Sequence, residues 1–442
     1  MMKLKIFLLF AILFNTFHLF AQKNLLQSGP MVGYSEMFEV MLWTQTNKEA
    51  DVKIIYYDIN SSDIKHETNT VTTKKESAFT AHLLADEVEP GHIYTYDLFI
   101  NNIKVDFDYK TQFQTQQIWK WQTDAPDFSF ATGSGAYINE AKYDRPGEGY
   151  GGDYQIYESI ANKKPDFMIW LGDNIYLREA DWNTKTGILH RYTHTRSTQE
   201  MQKLLATTHN YAIWDDHDFG PNDSDKSFWN KNMTLEAFKL FWANPSYGIN
   251  DIKGAISYFN WGDCDFFLLD NRYHRDPNKL ISDNKTQLGK KQKEWLKNAL
   301  TYSDAKFKFI VIGGQFLTTG GAYEVFTNYG FSKERTEIIE FIYKQNIKNV
   351  IFVTGDRHHS EISILKNRYK PTIYDITTSP FTSHHASENK DEVNSLRIEG
   401  SLIRQRNFSV FSVSGTKDNR ILKIKFYNSD GKPIYDYEIK PE

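Results

Sequence analysis

The stretch DFMIWLGDNIY (166–176) holds the unbroken apolar run Phe167–Leu171, which stops at Gly172. A run with no alternation reads as a strand buried on both faces, because a strand wetted on one side would alternate apolar and polar residues. In open α/β sheets the chemistry collects outside the carboxyl ends of such strands. Here that end carries Asp173 and, three residues on, Tyr176. Taken alone, this is a strand followed by a polar turn.

Two later runs end the same way. HNYAIW (209–214) leads into Asp215, Asp216, His217 and Asp218, and NVIFV (349–353) leads into Thr354, Gly355, Asp356, Arg357, His358 and His359. Three strand ends thus deliver Asp173 and Tyr176, then Asp216 and His217, then Asp356 and His358. Carboxylate, imidazole and phenolate form a hard-to-borderline ligand set, suited to Fe, Zn, Mn or Ca rather than soft metals. One carboxylate shared by two ions, flanked by ligands from neighbouring strands, is how a two-metal site is assembled.

The rest of the chain supplies the setting. At 442 residues it is too long for one ordinary core and predicts two or three domains. Residues 1–21 read as an export signal. Lys3 and Lys5 make a basic start, residues 6–14 are apolar, and Leu19-Phe20-Ala21 offers a small residue at the cleavage point. The apolar stretch is short for a membrane span and is broken by Asn15, Thr16 and His18. A secreted or periplasmic protein, with no transmembrane span after signal removal, is the expectation; a retained anchor is the alternative. The lone Cys264 excludes an internal disulfide and reads as a small buried residue. A net charge of −4 gives no global attraction for phosphate, and no specific nucleic-acid-binding motif is present, so a grip on an anion must be local.

Residues 27–115 show short runs rich in Val, Ile, Tyr and Phe, separated by turn clusters such as Asn60-Ser61-Ser62-Asp63 and Glu89-Pro90-Gly91. That spacing predicts a β-sandwich domain of the immunoglobulin or fibronectin type III kind. From residue 128 to 442, strand-like runs alternate with amphipathic helices, which predicts α/β layers. Helices are expected over 154–162 (with Asp153 as N-cap), 233–242, 288–300 and 334–345, strands over 258–269 and 307–313, and hairpins toward the C-terminus. His190 and His194, four apart, share a helix face, but no Glu follows the first in the zinc-protease manner, so a structural role is expected. No G-x-S-x-G element and no G-x-x-x-x-G-K-S/T loop is present, which leaves a covalent phosphoserine route unsupported.

At the strand ends the chain resembles a known family. GDNIY is similar to the GDxxY element of the metallophosphoesterase superfamily, known from purple acid phosphatases, where the tyrosine is an iron ligand. WDDHD (214–218), TGDRHH (354–359), LLDNRYHRD (268–276) and LGKKQKEWL (288–296) resemble elements of the alkaline phosphatase D branch. GPMVGY (29–34) and EPGHIYTYDL (89–98) resemble the N-terminal domain found there. The resemblance implies an α/β fold, the four-layer αββα metallophosphoesterase sandwich, preceded by a fibronectin- or immunoglobulin-like β-sandwich. It implies an exported phosphatase acting on phosphate mono- or diesters with two metal ions, Fe(III) plus Ca, or Zn or Mn. Asp173 would bridge the ions, Tyr176 and His358 would complete the first, and Asp216 and Asp356 would hold the second.

His217 is then the candidate to steady the phosphoryl group or protonate the leaving oxygen. Arg272 is the candidate phosphate clamp, with an ion pair to Asp270 or another carboxylate as the alternative. His359, Tyr137 and Asn222 are expected in support. The chain departs from the family at Gly135, in TGSGAY (132–137), where relatives carry a cysteine ligand; Ser134, Tyr137 or Asp153 could fill the gap. Two alternatives stay open: a phosphodiesterase or phospholipase on the same scaffold, and a surface binding protein impaired by the loss at Gly135.

Overall fold

Central strands that are apolar on both sides need a covering layer on each face, and that requirement organises the fold. A computed structural model describes residues 25–321, 324–385 and 392–442; the expected signal at residues 1–21 lies outside the described residues. Two large sheets pack face to face. The first has nine strands in the order Pro433–Ile439, Ile421–Asn428, Asn407–Ser414, Phe128–Gly133, Phe167–Leu171, His209–Ile213, Leu26–Ser35, Val40–Thr46, Thr80–Ala85. The second has six, in the order Ser257–Trp261, Cys264–Leu268, Phe307–Ile312, Val350–Thr354, Lys370–Thr377, Glu361–Asn367.

Successive side chains of a strand point to opposite faces, so each central strand serves two layers. Phe130, Phe167 and Ile169 of the first sheet meet Phe266, Phe309 and Val311 of the second in the inner core. Phe130 stacks on Phe411 at 4.6 Å between ring centroids and stands edge-on to Phe266 at 5.3 Å. Their neighbours Met168, Trp170 and Ala212 turn outward into a core shared with the helices Ile156–Lys163, Lys185–Arg196 and Lys231–Phe241. On the far side, Phe267, Ile310 and Phe352 pack with the helices Lys290–Tyr302 and Ser332–Lys344. The result is the four-layer αββα sandwich. Lys290–Tyr302 is helical because Gln292, Leu296 and Leu300, four residues apart, bury one stripe while its lysines stay outside.

Two local expectations need correction. Residues 258–269 are not one strand but a hairpin, Ser257–Trp261 paired antiparallel with Cys264–Leu268, because Gly262 and Asp263 turn the chain. Asp153 does not cap the helix Ile156–Lys163; it lies outside at φ +53°, and its carboxylate sits 3.3 Å from Arg406 Nη1. Cys264 is buried, as a small apolar filler would be.

The N-terminal β-rich part has a core of its own, in which Val32, Leu42 and Leu83 face Ile54, Tyr56, Tyr96 and Leu98. Asp51–Asp58 and Ile93–Ile100 pair antiparallel within a small six-stranded sheet. Its partner layer is the end of the nine-stranded sheet, and Val32 pairs parallel with His209 there. The opposite face of those same strands sends Met31 and Trp43 into the helical core. Among the described residues no helix is long and apolar enough to cross a membrane.

Candidate metal centre

Phe128–Gly133, Phe167–Leu171 and His209–Ile213 run parallel, as do Phe307–Ile312 and Val350–Thr354 in the facing sheet. Their carboxyl ends open on one rim, where the loops 134–135, 172–176, 214–218 and 355–359 meet. Asp173, Asp356 and His358 lie in the left-handed region, at φ +51°, +68° and +53°. Such positions cost about 1–3 kcal/mol each for residues other than Gly and cluster at functional sites. Gly172, at φ +90°, has its Cβ position 2.7 Å from the Asp215 backbone nitrogen, so only a glycine lets the two loops touch.

The rim brings together all five residues expected to bind metal. Tyr176 donates its hydroxyl hydrogen to Asp173 Oδ2 at 3.2 Å, and its oxygen lies 3.2 Å from His358 Nε2. The His217 backbone N–H donates to Asp173 Oδ1 at 3.3 Å. Asp173, Asp216 and His217 offer ligand atoms all within 4.8 Å of one another; so do Asp215, Asp216 and Asp356, and so do Asp216, Asp223 and Glu324.

The electrostatics show what this crowding does. Burial, then the charges of Asp216, Asp215 and Asp356, push the Asp173 carboxyl well above the usual range. Burial, then Asp215 and Asp216, do the same to Asp356. Burial and the neighbouring His217 hold His358 down to about 4, so its imidazole is neutral near pH 7, which is the metal-binding form. Burial and Asp173 raise the Tyr176 phenol. Asp216 Oδ1 is buried without a hydrogen-bond donor, Arg272 Nη2 standing off at 3.8 Å. Packed carboxylates short of donors, beside one imidazole and one phenol, fit hard or borderline cations.

Arg272 is the correction within the site. It is 1% exposed, its Nε donates to Asp215, and its Nη1 donates to Glu324 Oε2 at 2.5 Å. The guanidinium is consumed by carboxylates and does not reach out as a phosphate clamp. Asp270 accepts from the backbone N–H groups of Arg272 and Tyr273 at 2.8 Å each. His359 is also buried, its Nε2 3.7 Å from a Glu361 carboxylate oxygen. Tyr137 gives its hydroxyl hydrogen to Asp144 at 2.8 Å and carries Arg178 over its ring at 4.0 Å. His190 and His194 hold Glu140 and the Asn139 carbonyl, at 3.0 and 3.1 Å.

Asp223, Glu324, Tyr150 and Ser383 join the site without a signal in the sequence. Each comes from a loop with no apolar run directly before it. Tyr150 sets its hydroxyl 3.1 Å from His358 Nδ1. The carboxylate cleft, about 370 Å³, adjoins a second cavity of about 660 Å³ walled by Tyr137, Tyr143, Tyr150 and Trp182. His217 and Asn222 border both.

Known proteins resemble this chain to different extents. Alkaline phosphatase D of Bacillus subtilis (strain 168) is 26% identical over 351 residues, a match covering 69% of this chain and 57% of that protein. A solved structure of PhoD superposes with a TM-score of 0.75 at 19% identity, over 94% of this chain and 92% of the other. Purple acid phosphatase PPD1 from yellow lupin seeds gives 0.67 at 11% identity, over 93% and 74%, and so shares the fold. The sequence profile of PhoD-like phosphatases matches residues 130–416, a span that contains the strand ends bearing Asp173, Asp216 and Asp356. With most of its length inside that profile, the chain belongs to the PhoD-like phosphatase family.

Proposed function

We propose that this chain is an exported, metal-dependent phosphoric ester hydrolase, acting on phosphate mono- or diesters at a dinuclear centre. One observation carries the reading: Asp173, Tyr176, Asp216, Asp356 and His358 converge from three separate strand ends on one cleft. Asp173 would serve both ions, Tyr176 and His358 would hold the first, Fe(III) or a divalent ion, and Asp216 and Asp356 would hold the second, Ca, Zn or Mn. Two bound cations supply an activated water at neutral pH and neutralise the phosphoryl oxygens.

The chain's own residues do the rest. Arg272 orients Asp215 and Glu324 behind the cleft, as a buried guanidinium paired with two carboxylates does. His217 borders both cavities, which supports it as the group that protonates the departing oxygen. The aromatic cavity is large enough to seat the organic part of an ester, which favours substrates with a sizeable substituent, diesters included.

Elemental analysis of the purified protein, paired with hydrolysis of an aryl phosphate monoester and diester, tests this. Asp173→Asn should lose both metals and turnover together, since one carboxylate serves two ions. Near-normal turnover with a full metal complement in that variant would sink the assignment.

A further inference from the structure

Ser383 is wholly buried in the loop after Thr377, yet its hydroxyl faces the metal cleft. Its Oγ lies 3.4 Å from His358 Nε2 and hydrogen-bonds the Tyr176 phenol. Three donor atoms from three separate loops thus meet. The loop is fastened there: the Ser383 and Thr382 N–H groups donate to the Gly135 carbonyl at 3.0 and 3.1 Å, and Phe381 N–H donates to the Ser134 carbonyl at 2.7 Å. A donor held by its own backbone in this way is preorganised rather than recruited.

Gly135 explains why the position opposite is bare. It sits at φ +78°, where a side chain is strained, and its Cβ position is 2.8 Å from Ser383 Oγ and 3.3 Å from Pro380 Cβ. A side chain at 135 would force the Ser383 hydroxyl to turn away from its present place. None of the other candidates fills it. Ser134 Oγ accepts from Asp356 N–H at 3.1 Å, the Tyr137 hydroxyl goes to Asp144, and Asp153 goes to Arg406.

We propose that Ser383 is a ligand of the first cation, beside Asp173, Tyr176 and His358, and that Gly135 is glycine to make room for it. The assignment rests on the dinuclear reading above. A neutral hydroxyl in place of an anionic side chain leaves that site one negative charge poorer, which shifts its preference from trivalent toward divalent ions.

Chelator titration of metal-loaded native protein, Ser383→Ala and Ser383→Cys, with metal counted by elemental analysis, tests the ligand without reference to activity. Ser383→Ala should hold one of its two metals about 10–100-fold more weakly and keep the other. Ser383→Cys loaded with Co(II) should gain a thiolate-to-metal charge-transfer band that the native protein lacks. Gly135→Cys should weaken retention, because its side chain displaces the Ser383 hydroxyl. Native-like retention in Ser383→Ala, or tighter retention in Gly135→Cys, would overturn the proposal. If Ser383→Ala fails to fold, the band in Ser383→Cys decides, and its absence is a rejection. Native protein that takes up no metal removes the dinuclear reading and this ligand together; native uptake with unchanged Ser383→Ala removes the ligand alone.

Discussion

His217 and Arg272 test the division of labour at the level of single side chains. His217→Ala should keep its metals and fold while turnover falls by about 10²–10⁴-fold, most with poor leaving groups. Elemental analysis beside the rate measurement separates this from a ligand role, in which metal would be lost as well. Arg272→Met strands Asp215 as a buried carboxylate without its cation and leaves Glu324 to Arg275 alone, so it should destabilise the fold by about 3–5 kcal/mol in denaturant titrations. A raised KM with unchanged stability would instead restore the phosphate clamp. Legibility differs among these residues for a physical reason. Asp173, Asp216 and Asp356 follow apolar runs, and a run that ends abruptly marks where a strand delivers its next side chains. Glu324 and Ser383 reach the same cleft by loop contacts between distant segments, which leave no local pattern. Arg272 was visible but ambiguous, since a guanidinium that fits a phosphate also fits a carboxylate.

His209 opens one of those strands and joins it to the N-terminal β-rich part. Its Nδ1–H donates to the Gly33 carbonyl at 2.8 Å, and Gln114 N–H donates to its Nε2 at 3.1 Å, so the ring is neutral and wedged between two segments. Burial pushes its pKa down to about 4 from an ordinary value near 6.5. The unfolded chain therefore binds the extra proton first. The contribution is complete above pH about 6.5 and is lost as pH falls toward about 4, a change on the order of 3 kcal/mol. Thermal unfolding of native protein should show a larger drop between pH 7 and pH 4.5 than that of His209→Gln. Equal drops would mean that the seam does not titrate there. At this scale Phe167–Leu171 and Phe307–Ile312 could be read to within a residue, because burial on both faces leaves an uninterrupted apolar signature. The hairpin Ser257–Trp261 with Cys264–Leu268 could not, since both arms are apolar and a two-residue turn hardly interrupts the run.

The division of the chain into a β-sandwich and an α/β layer structure meets its hardest test in the nine-stranded sheet, which crosses that division. Leu26–Ser35 and Val40–Thr46 give one face to the small sheet through Val32 and Leu42, and the other to the helices through Met31 and Trp43. Trp43 is fully buried, and its Nε1–H donates to the Leu240 carbonyl at 2.7 Å. Tyr34 N–H donates to the Ala243 carbonyl at 2.9 Å, Gly29 N–H to Gln202 Oε1 at 2.8 Å, and Gln45 Nε2 to Thr193 Oγ1 at 2.8 Å. Removing these strands would uncover Phe241 and Trp242 and leave the edge of His209–Ile213 unpaired, an invitation to aggregate. A chain beginning at residue 116 is therefore expected to be insoluble or to unfold without a sharp transition. The full chain should lose tryptophan fluorescence and far-ultraviolet dichroism at the same denaturant concentration, as one cooperative unit. Trp43→Ala, which keeps the whole chain, should lower stability by about 3–5 kcal/mol and move both signals together. A soluble, monomeric 116–442 fragment with a steep transition would show instead that the two parts fold independently and that the shared sheet is only a contact between them.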